Sequence, residues 1–415
     1  MNVKPPQSGD SPIENSVHDL PAIAGGVPVR SRHTRIIFGA PSLGEAEVAS
    51  ISDCIRSGWI GMGERVGRFE REFAAYKRAP HAAAVSSCSA GLHLVLEALG
   101  IQPGDEVITP SLTFCSTVHA ILHVGATPVL VDSDRCSLNL DPAAIERAIT
   151  PRTRAVIAVH MCGRICDMDA ITALAARHAF KVVEDCAHAI ETTHRGVAAG
   201  LLGDAGCFSF YPTKSITTGD GGMVISCHQQ LIERVKLMSY NGVATSAWTR
   251  FAGDVAGYDV VAAGFKYNMT DVEAALALPQ LPLLDQRWAQ RELLWRAYDA
   301  GLRDLPLTLP STGFAEDRHA YHLYTPLLHL EKLTVGRREI VAALEAENIG
   351  VGIHYQPVHT QPFYTERFGR DDARLPNATY IGERTISLPL SAGMNEHDIA
   401  DVCAAFSRIL HYYAA

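Results

Sequence analysis

The chain has 415 residues, room for two domains with a sizeable core, and its 47% hydrophobic and 20% charged composition is that of an ordinary globular enzyme. A formal charge of −9 argues against a general nucleic-acid or anionic-membrane surface, while leaving room for a local basic pocket. No run of about eighteen apolar residues exists to span a membrane, and no charged-then-apolar leader opens the chain, so a cytoplasmic protein is expected.

Residues 1–18 are polar, with Pro, Ser and Asn, and read as the start of a loose arm over residues 1–30. From about residue 80 to 240, short β-branched runs alternate with helical patterns. Strands are predicted at Glu106–Thr109, Pro128–Val131, Ala155–His160, Lys181–Glu184, Ala205–Phe210 and Met223–Ser226. Helices are predicted at Ala90–Leu99, Ser116–His123, Pro142–Ile149 and Met168–His178. This alternation predicts an α/β fold with a mostly parallel sheet covered on both faces, in a large domain over residues 31–285. Helical character follows over Asp271–Leu281 and, past Pro282, over Leu283–Leu302. Strand-like His322–Leu328 and Gly350–His354 then alternate with helical Arg337–Glu347 and Glu396–Leu410. That predicts a smaller C-terminal α/β domain over residues 286–415.

Ten cysteines are scattered without a C-x-x-C pair. His160, Cys162 and Cys166 come nearest to metal-ligand spacing but lack tight pairing, so buried reduced thiols are expected and no metal.

The chemistry concentrates in two segments. Lys181-Val182-Val183-Glu184-Asp185-Cys186-Ala187-His188 is an apolar run ending on a carboxylate and an imidazole. Ser209-Phe210-Tyr211-Pro212-Thr213-Lys214 ends a second run on a hydroxyl and a lysine, 29 positions after Asp185. That is about the spacing of successive strand ends, where ligands sit in such sheets. An aspartate for a pyridinium nitrogen and a lysine for an aldehyde are what pyridoxal 5'-phosphate (PLP) requires of a protein. A loop lysine is by default a surface group. Lys214, however, follows an apolar strand, and a desolvated amine is the reactive form. Asp185 could otherwise cap a helix, and His188 could be a core histidine or could bond the cofactor's ring oxygen. Ser86-Ser87-Cys88-Ser89 opens a helix whose N-terminus suits a phosphate. Ser209 is a further donor, and Phe114 could stack on a ring.

With these residues the chain resembles the DegT-type sugar aminotransferases, PLP enzymes that aminate nucleotide-linked keto-sugars. Ser57-Gly58-Trp59-Ile60-Gly61-Met62-Gly63, Gly104-Asp105-Glu106-Val107-Ile108-Thr109-Pro110-Ser111 and Ser387-Leu388-Pro389-Leu390 carry the resemblance beside the segments above, from about Phe38 to Leu410. It implies the type I aminotransferase fold and a homodimer with shared sites. It places Cys88 and Ser89 on the phosphate, Phe114 on the ring face, Asp185 on the ring nitrogen and His188 where Gln often stands. Lys214 becomes the cofactor-bonding lysine and proton carrier, with pyridoxamine phosphate as the alternate cofactor form. Gly264-Phe265-Lys266-Tyr267-Asn268-Met269-Thr270-Asp271 has Lys and Asn where many members have Asn and Arg. That variant, with Trp59-Ile60 and the His359-to-Phe368 stretch, resembles the branch acting on a UDP-linked 4-keto-pentose. Gly61-Met62 and Gln356-Pro357-Val358 depart from that branch. The expectation is 4-amination of a dTDP- or UDP-4-keto-6-deoxyhexose with L-glutamate as donor, Lys266 serving the neighbouring subunit's cofactor phosphate. A keto-cyclitol or a 3-keto-sugar remains the alternative substrate. Lys214 argues against the related dehydratases, which use histidine there, and no DNA-reading module is visible.

Overall fold

The computed structural model describes residues 20–244 and 258–415. Its central sheet has seven strands: β1 (His81–Val85), β2 (Glu106–Pro110), β3 (Thr127–Val131), β4 (Thr153–Val159), β5 (Lys181–Asp185), β6 (Ala205–Ser209) and β7 (Gly222–Ser226). Their spatial order is β1-β7-β6-β5-β4-β2-β3. β7 runs antiparallel between β1 and β6; the pairs from β6 through β5, β4 and β2 to β3 are parallel.

The apolar runs conceal a period of two. Ala82, Ala84, Val156, Ala158, Val182 and Phe208 face one core, and Ala83, Val85, Ala155, Ile157, Val183 and Cys207 face the other. A parallel sheet buried on both sides needs apolar residues at both parities, which is why alternation is invisible in the sequence. The helices of this unit are α1 (Glu45–Arg56), α2 (Glu64–Lys77), α3 (Cys88–Ala98), α4 (Cys115–His123), α5 (Pro142–Ala148), α6 (Met168–His178), α7 (Gln229–Ser239) and α8 (Asp271–Ala277). Helices α2, α5, α6 and α8 cover the first face; α3, α4 and α7 cover the second. Strand β1 is absent from the sequence-based list. Its Ala82-Ala83-Ala84 run has poor β-propensity, and pairing with β7 makes it a strand.

The next helix, α9 (Leu284–Leu302), begins with Leu284 in the sheet's core and continues with Leu294, Trp295, Tyr298 and Leu302 in a second core. That core is completed by α10 (Arg337–Ala346) and, beyond α11 (Pro362–Phe368) and α12 (Pro376–Arg384), by α13 (Glu396–Tyr412). The strands expected at His322–Leu328 and Gly350–His354 are corrected. Only Leu327–Leu328 forms a ladder, with Leu307–Thr308, while Tyr324 and Gly352 make single bridges to Leu388 and Ser387. Pro326, inside the first segment, has no N–H to donate to a ladder.

The arm expected over residues 1–30 lies outside the described residues up to 19. Beyond that, fully buried Glu347 accepts the N–H groups of Ala22 and Val29, each at 2.8 Å, and a guanidinium hydrogen bond from Arg408 at 2.5 Å. Ile36 enters the second core. Ala22, Val29 and Ile36 are therefore held against C-terminal residues.

Asp271 joins two helices of the large unit. It is 1% exposed and accepts the N–H groups of Gly63 at 2.9 Å, Val66 at 3.0 Å and Arg65 at 3.3 Å, at the positive end of α2. Asp271→Ala would leave these donors buried without an acceptor, so it should lower unfolding stability by about 2 kcal/mol. The expected readout is a lower urea midpoint at unchanged slope. An unshifted midpoint would show that water replaces the carboxylate there.

Candidate active site

Strands β1, β2, β5 and β6 deliver Ser86–Ser89, Ser111–Phe114, Asp185 and Ser209 to one edge of the sheet, as the carboxyl ends of parallel strands do. A cavity of about 440 Å³ opens there. Cys88, Ser89, Phe114, Asp185, Ser209 and Lys214 line it, together with Tyr211 and Tyr355. His188 and Lys266 do not.

Asp185 is 5% exposed. Its carboxylate accepts from the Thr117 hydroxyl at 2.9 Å and the Ala187 N–H at 3.1 Å, and Thr113 lies 2.8 Å behind Thr117. Burial pushes its pKa up; the Thr117 and Ala187 hydrogen bonds and the charge of Lys214 oppose that rise. A cationic ring nitrogen beside it would further favour the carboxylate.

Lys214 follows the tight turn after β6, its N–H bonded to the Tyr211 carbonyl at 2.9 Å. Its ammonium makes no hydrogen bond to a described residue. Burial pulls its pKa down to about 8. Lys77 has the same pKa, about 8, for the same reason, yet it donates to the Ile190 carbonyl at 2.6 Å and lies 4.8 Å from the Phe208 ring centre. Basicity alone would not separate these two lysines; only Lys214 reaches the cavity.

The anion end of the cavity is the start of α3. Ser87 caps it, accepting from the Ala90 N–H at 3.0 Å, and Gly91 N–H bonds to the Ser87 carbonyl. The Cys88 and Ser89 N–H groups have no acceptor in the helix and none among the described residues. Gly222, which pairs with Val85 and Ser209 at the head of β7, makes this approach possible. A Cβ there would lie 2.7 Å from the Cys88 nitrogen. Asp185, Lys214 and the open helix end together fit the ring nitrogen, aldehyde and phosphate of PLP.

His188 is buried beside the cavity. Its Nδ1 accepts the Cys162 N–H at 3.3 Å, so the proton resides on Nε2, 3.1 Å from the Tyr355 hydroxyl. Burial holds the imidazole neutral and the Tyr355 phenol protonated. Tyr355, not His188, lines the cavity. Sequence reasoning missed Tyr355 and Thr117. Tyr355 meets His188 across 167 positions and Thr117 meets Asp185 across 68, and neither has a local signature. Lys266 is exposed, hydrogen-bonded to Asn268 at 2.5 Å and 4.4 Å from the Tyr240 ring centre. Its backbone neighbours pair with Val85 and Ser86.

The residues near metal spacing have other partners. His160 Nδ1 accepts the Cys166 N–H and its Nε2 meets Glu184 at 2.9 Å. Cys166 donates to the Val159 carbonyl, and Cys162 accepts from Thr325. Glu184 also accepts the N–H groups of Gly200, Leu202 and Gly203. Together with the His160 bond these outweigh its burial and lower its pKa.

Two predictions follow from Lys214 and Asp185. Capture of added cofactor by the apo-protein needs the neutral amine. Its rate should rise about tenfold per pH unit below about 8 and level off above, whereas an ordinary lysine would keep rising toward about 10.4. Borohydride should then fix the cofactor on the Lys214 peptide; fixation on Lys77 would refute the assignment. Asp185→Asn should leave the fold intact and slow turnover by more than tenfold, about 1.4 kcal/mol of barrier. A smaller loss in single-turnover kinetics would give the carboxylate another task.

The comparisons with known proteins agree with this chemistry. Residues 41–407 match the DegT/DnrJ/EryC1/StrS aminotransferase family. The spore coat polysaccharide biosynthesis protein SpsC of Bacillus subtilis (strain 168) is 42% identical over 384 residues, 92% of this chain and 99% of SpsC. Spr1654 of Streptococcus pneumoniae, solved in its PLP form, superposes with a TM-score of 0.85 at 28% identity, covering 91% of this chain and 99% of its own. DesI, solved in the presence of its TDP-sugar product, gives 0.82 at 28% identity over 96% and 99%. The chain therefore belongs to the DegT/DnrJ/EryC1/StrS family and is a PLP-dependent aminotransferase of type I fold.

Proposed function

We propose that this enzyme aminates a nucleotide-linked keto-sugar, a dTDP- or UDP-4-keto-6-deoxyhexose, at C4, with L-glutamate as amino donor. The observation that carries the reading is a free, partly desolvated Lys214 amine in the same cavity as a buried Asp185, in a chain resembling an enzyme solved with its TDP-sugar product. PLP, when bound, supplies an electron-withdrawing ring. The protein's part is positional and protolytic. Asp185 holds the ring nitrogen protonated by charge. The open α3 N-terminus, with Ser89 and Ser209, holds the phosphate. Lys214 would take and return the proton of the donor's α-carbon, and its pKa of about 8 suits a base working near neutrality. The experiment is incubation of the pyridoxamine form with dTDP- and UDP-4-keto-sugars and with scyllo-inosose. Amination of a nucleotide sugar is expected; amination of the cyclitol alone would overturn the reading.

The active unit in this reading is a homodimer with shared sites. Lys266 stands outside its own chain's cavity on an exposed segment, which supports a role toward the phosphate in a partner's site. A charge-assisted bond from its ammonium is roughly twice as strong as a neutral amide's. Mixing inactive Lys214→Ala chains with inactive Lys266→Ala chains should restore activity through one intact site per heterodimer. Unchanged PLP affinity in Lys266→Ala alone would remove the lysine from this role.

A further inference from the structure

Strand β6 ends at Ser209, so Lys214 lies on a loop that no helix or sheet ladder holds in place. Residues 210–218 close on themselves: the Phe210 carbonyl accepts the Thr218 N–H at 2.9 Å and the Thr217 hydroxyl at 3.0 Å. Thr217 is 3% exposed, and one side chain meets both its peptide N–H and its carbonyl. The N–H donates to Gln280 Oε1 at 3.1 Å, and the carbonyl accepts from Gln280 Nε2 at 2.8 Å. Gln280 is 1% exposed and lies 63 positions further on, just past α8. A carboxamide offers a donor and an acceptor side by side, so it pairs with this peptide as a neighbouring strand would.

Arg287, near the start of α9, adds a second hold. Its guanidinium donates to the carbonyls of Ser42 at 2.7 Å and Ser215 at 3.4 Å, and to Gln280 Oε1 at 3.4 Å. Before the lysine, Thr213 is met by Gly39, whose φ is +64°; a Cβ on Gly39 would lie 2.6 Å from Thr213 Cγ2. Ser42, Lys214, Thr217, Gln280 and Arg287 line one cavity of about 30 Å³, room for only a water or two. The groups that face the Lys214 amine are the Asp185 carboxylate, the Cys88 and Cys162 thiols, and the His188, His322 and His354 imidazoles. Burial keeps those thiols and imidazoles uncharged.

We propose that Gln280 and Arg287 are positioning residues for the cofactor-bonding lysine. They clamp the backbone of residues 215–217 so that the Lys214 amine faces the cofactor cavity and stays out of bulk water. Neither residue lines that cavity, so both act through the lysine. The inference rests on Lys214 being the lysine that bonds the cofactor.

The test is the pH dependence of PLP capture by the full-length protein stripped of cofactor. The parent's rate should level off above about 8. Gln280→Met keeps the side chain's length but neither hydrogen bond, so the loop should loosen and water should reach the amine. The levelling should then move up by about one pH unit, toward the value of an ordinary lysine, and capture at neutral pH should slow about tenfold. Arg287→Met, at a half-buried position, should shift the profile in the same direction. Arg287→Lys keeps a cationic donor and should stay near the parent. Asp271→Ala is the control, since it weakens the large unit without touching the loop, and its profile should match the parent's. An equal shift in Asp271→Ala would mean that the profile reports stability alone and would overturn the positioning role. So would levelling near 8 in Gln280→Met and Arg287→Met while borohydride still fixes the cofactor on Lys214. Should Gln280→Met fail to fold, Arg287→Met decides by the same measure. Fixation on another lysine in the parent would overturn the Lys214 assignment and this inference together.

Discussion

A carboxylate held almost out of water at the end of β5 is the constraint on which the site depends. Asp185 is tolerated there because Thr117 and Ala187 give it donors and Lys214 gives it a nearby positive charge. The same low-dielectric surroundings that raise the carboxyl's pKa lower that of the amine. Burial thus favours the neutral amine, while the Thr117 and Ala187 hydrogen bonds and the charge of Lys214 support the carboxylate against it. Elsewhere the buried acids have purely structural partners. Glu184, one residue earlier and pointing to the other face, is bound by His160 and three N–H groups, and Glu347 by two N–H groups and Arg408.

The antiparallel strand β7 has a specific consequence. It brings Gly222 between the ends of β1 and β6, and the missing side chain lets the first turn of α3 lie against the sheet. The helix opening after β1 and the lysine turn after β6 are thereby held on either side of β7. Rigid strand ends position the reacting groups, and the helix end contributes its free N–H groups without a long side chain.

The C-terminal unit does more than cover the site. Through Tyr355 it reaches the cavity that holds Lys214 and Asp185, and His188 is hydrogen-bonded to that tyrosine. The order of donors is fixed by one backbone group. Cys162 N–H occupies Nδ1, Nε2 then carries the proton toward Tyr355, and the phenol keeps its own proton for a further acceptor. His188, expected to touch the cofactor, is hydrogen-bonded to Tyr355, which lines the cavity.

The sequence alone determined the α/β alternation, the strand ends carrying Asp185 and Ser209, the Lys214 turn and the helix opening at Cys88. Each of these is local: an apolar run, a cap or a turn is written in consecutive residues. It also determined the PLP chemistry, because few cofactors need that pair of side chains at successive strand ends. Tertiary structure decided the rest. Strand β1, an alanine run, became a strand by pairing with β7, and the predicted C-terminal strands shrank around Pro326 to short bridges. The contacts of Thr117 and Tyr355 span 68 and 167 positions, which leave no periodic trace in the chain. The equal pKa of Lys77 and Lys214 makes the same point. Burial set both amines, but only the fold placed Lys214 in one cavity with Asp185.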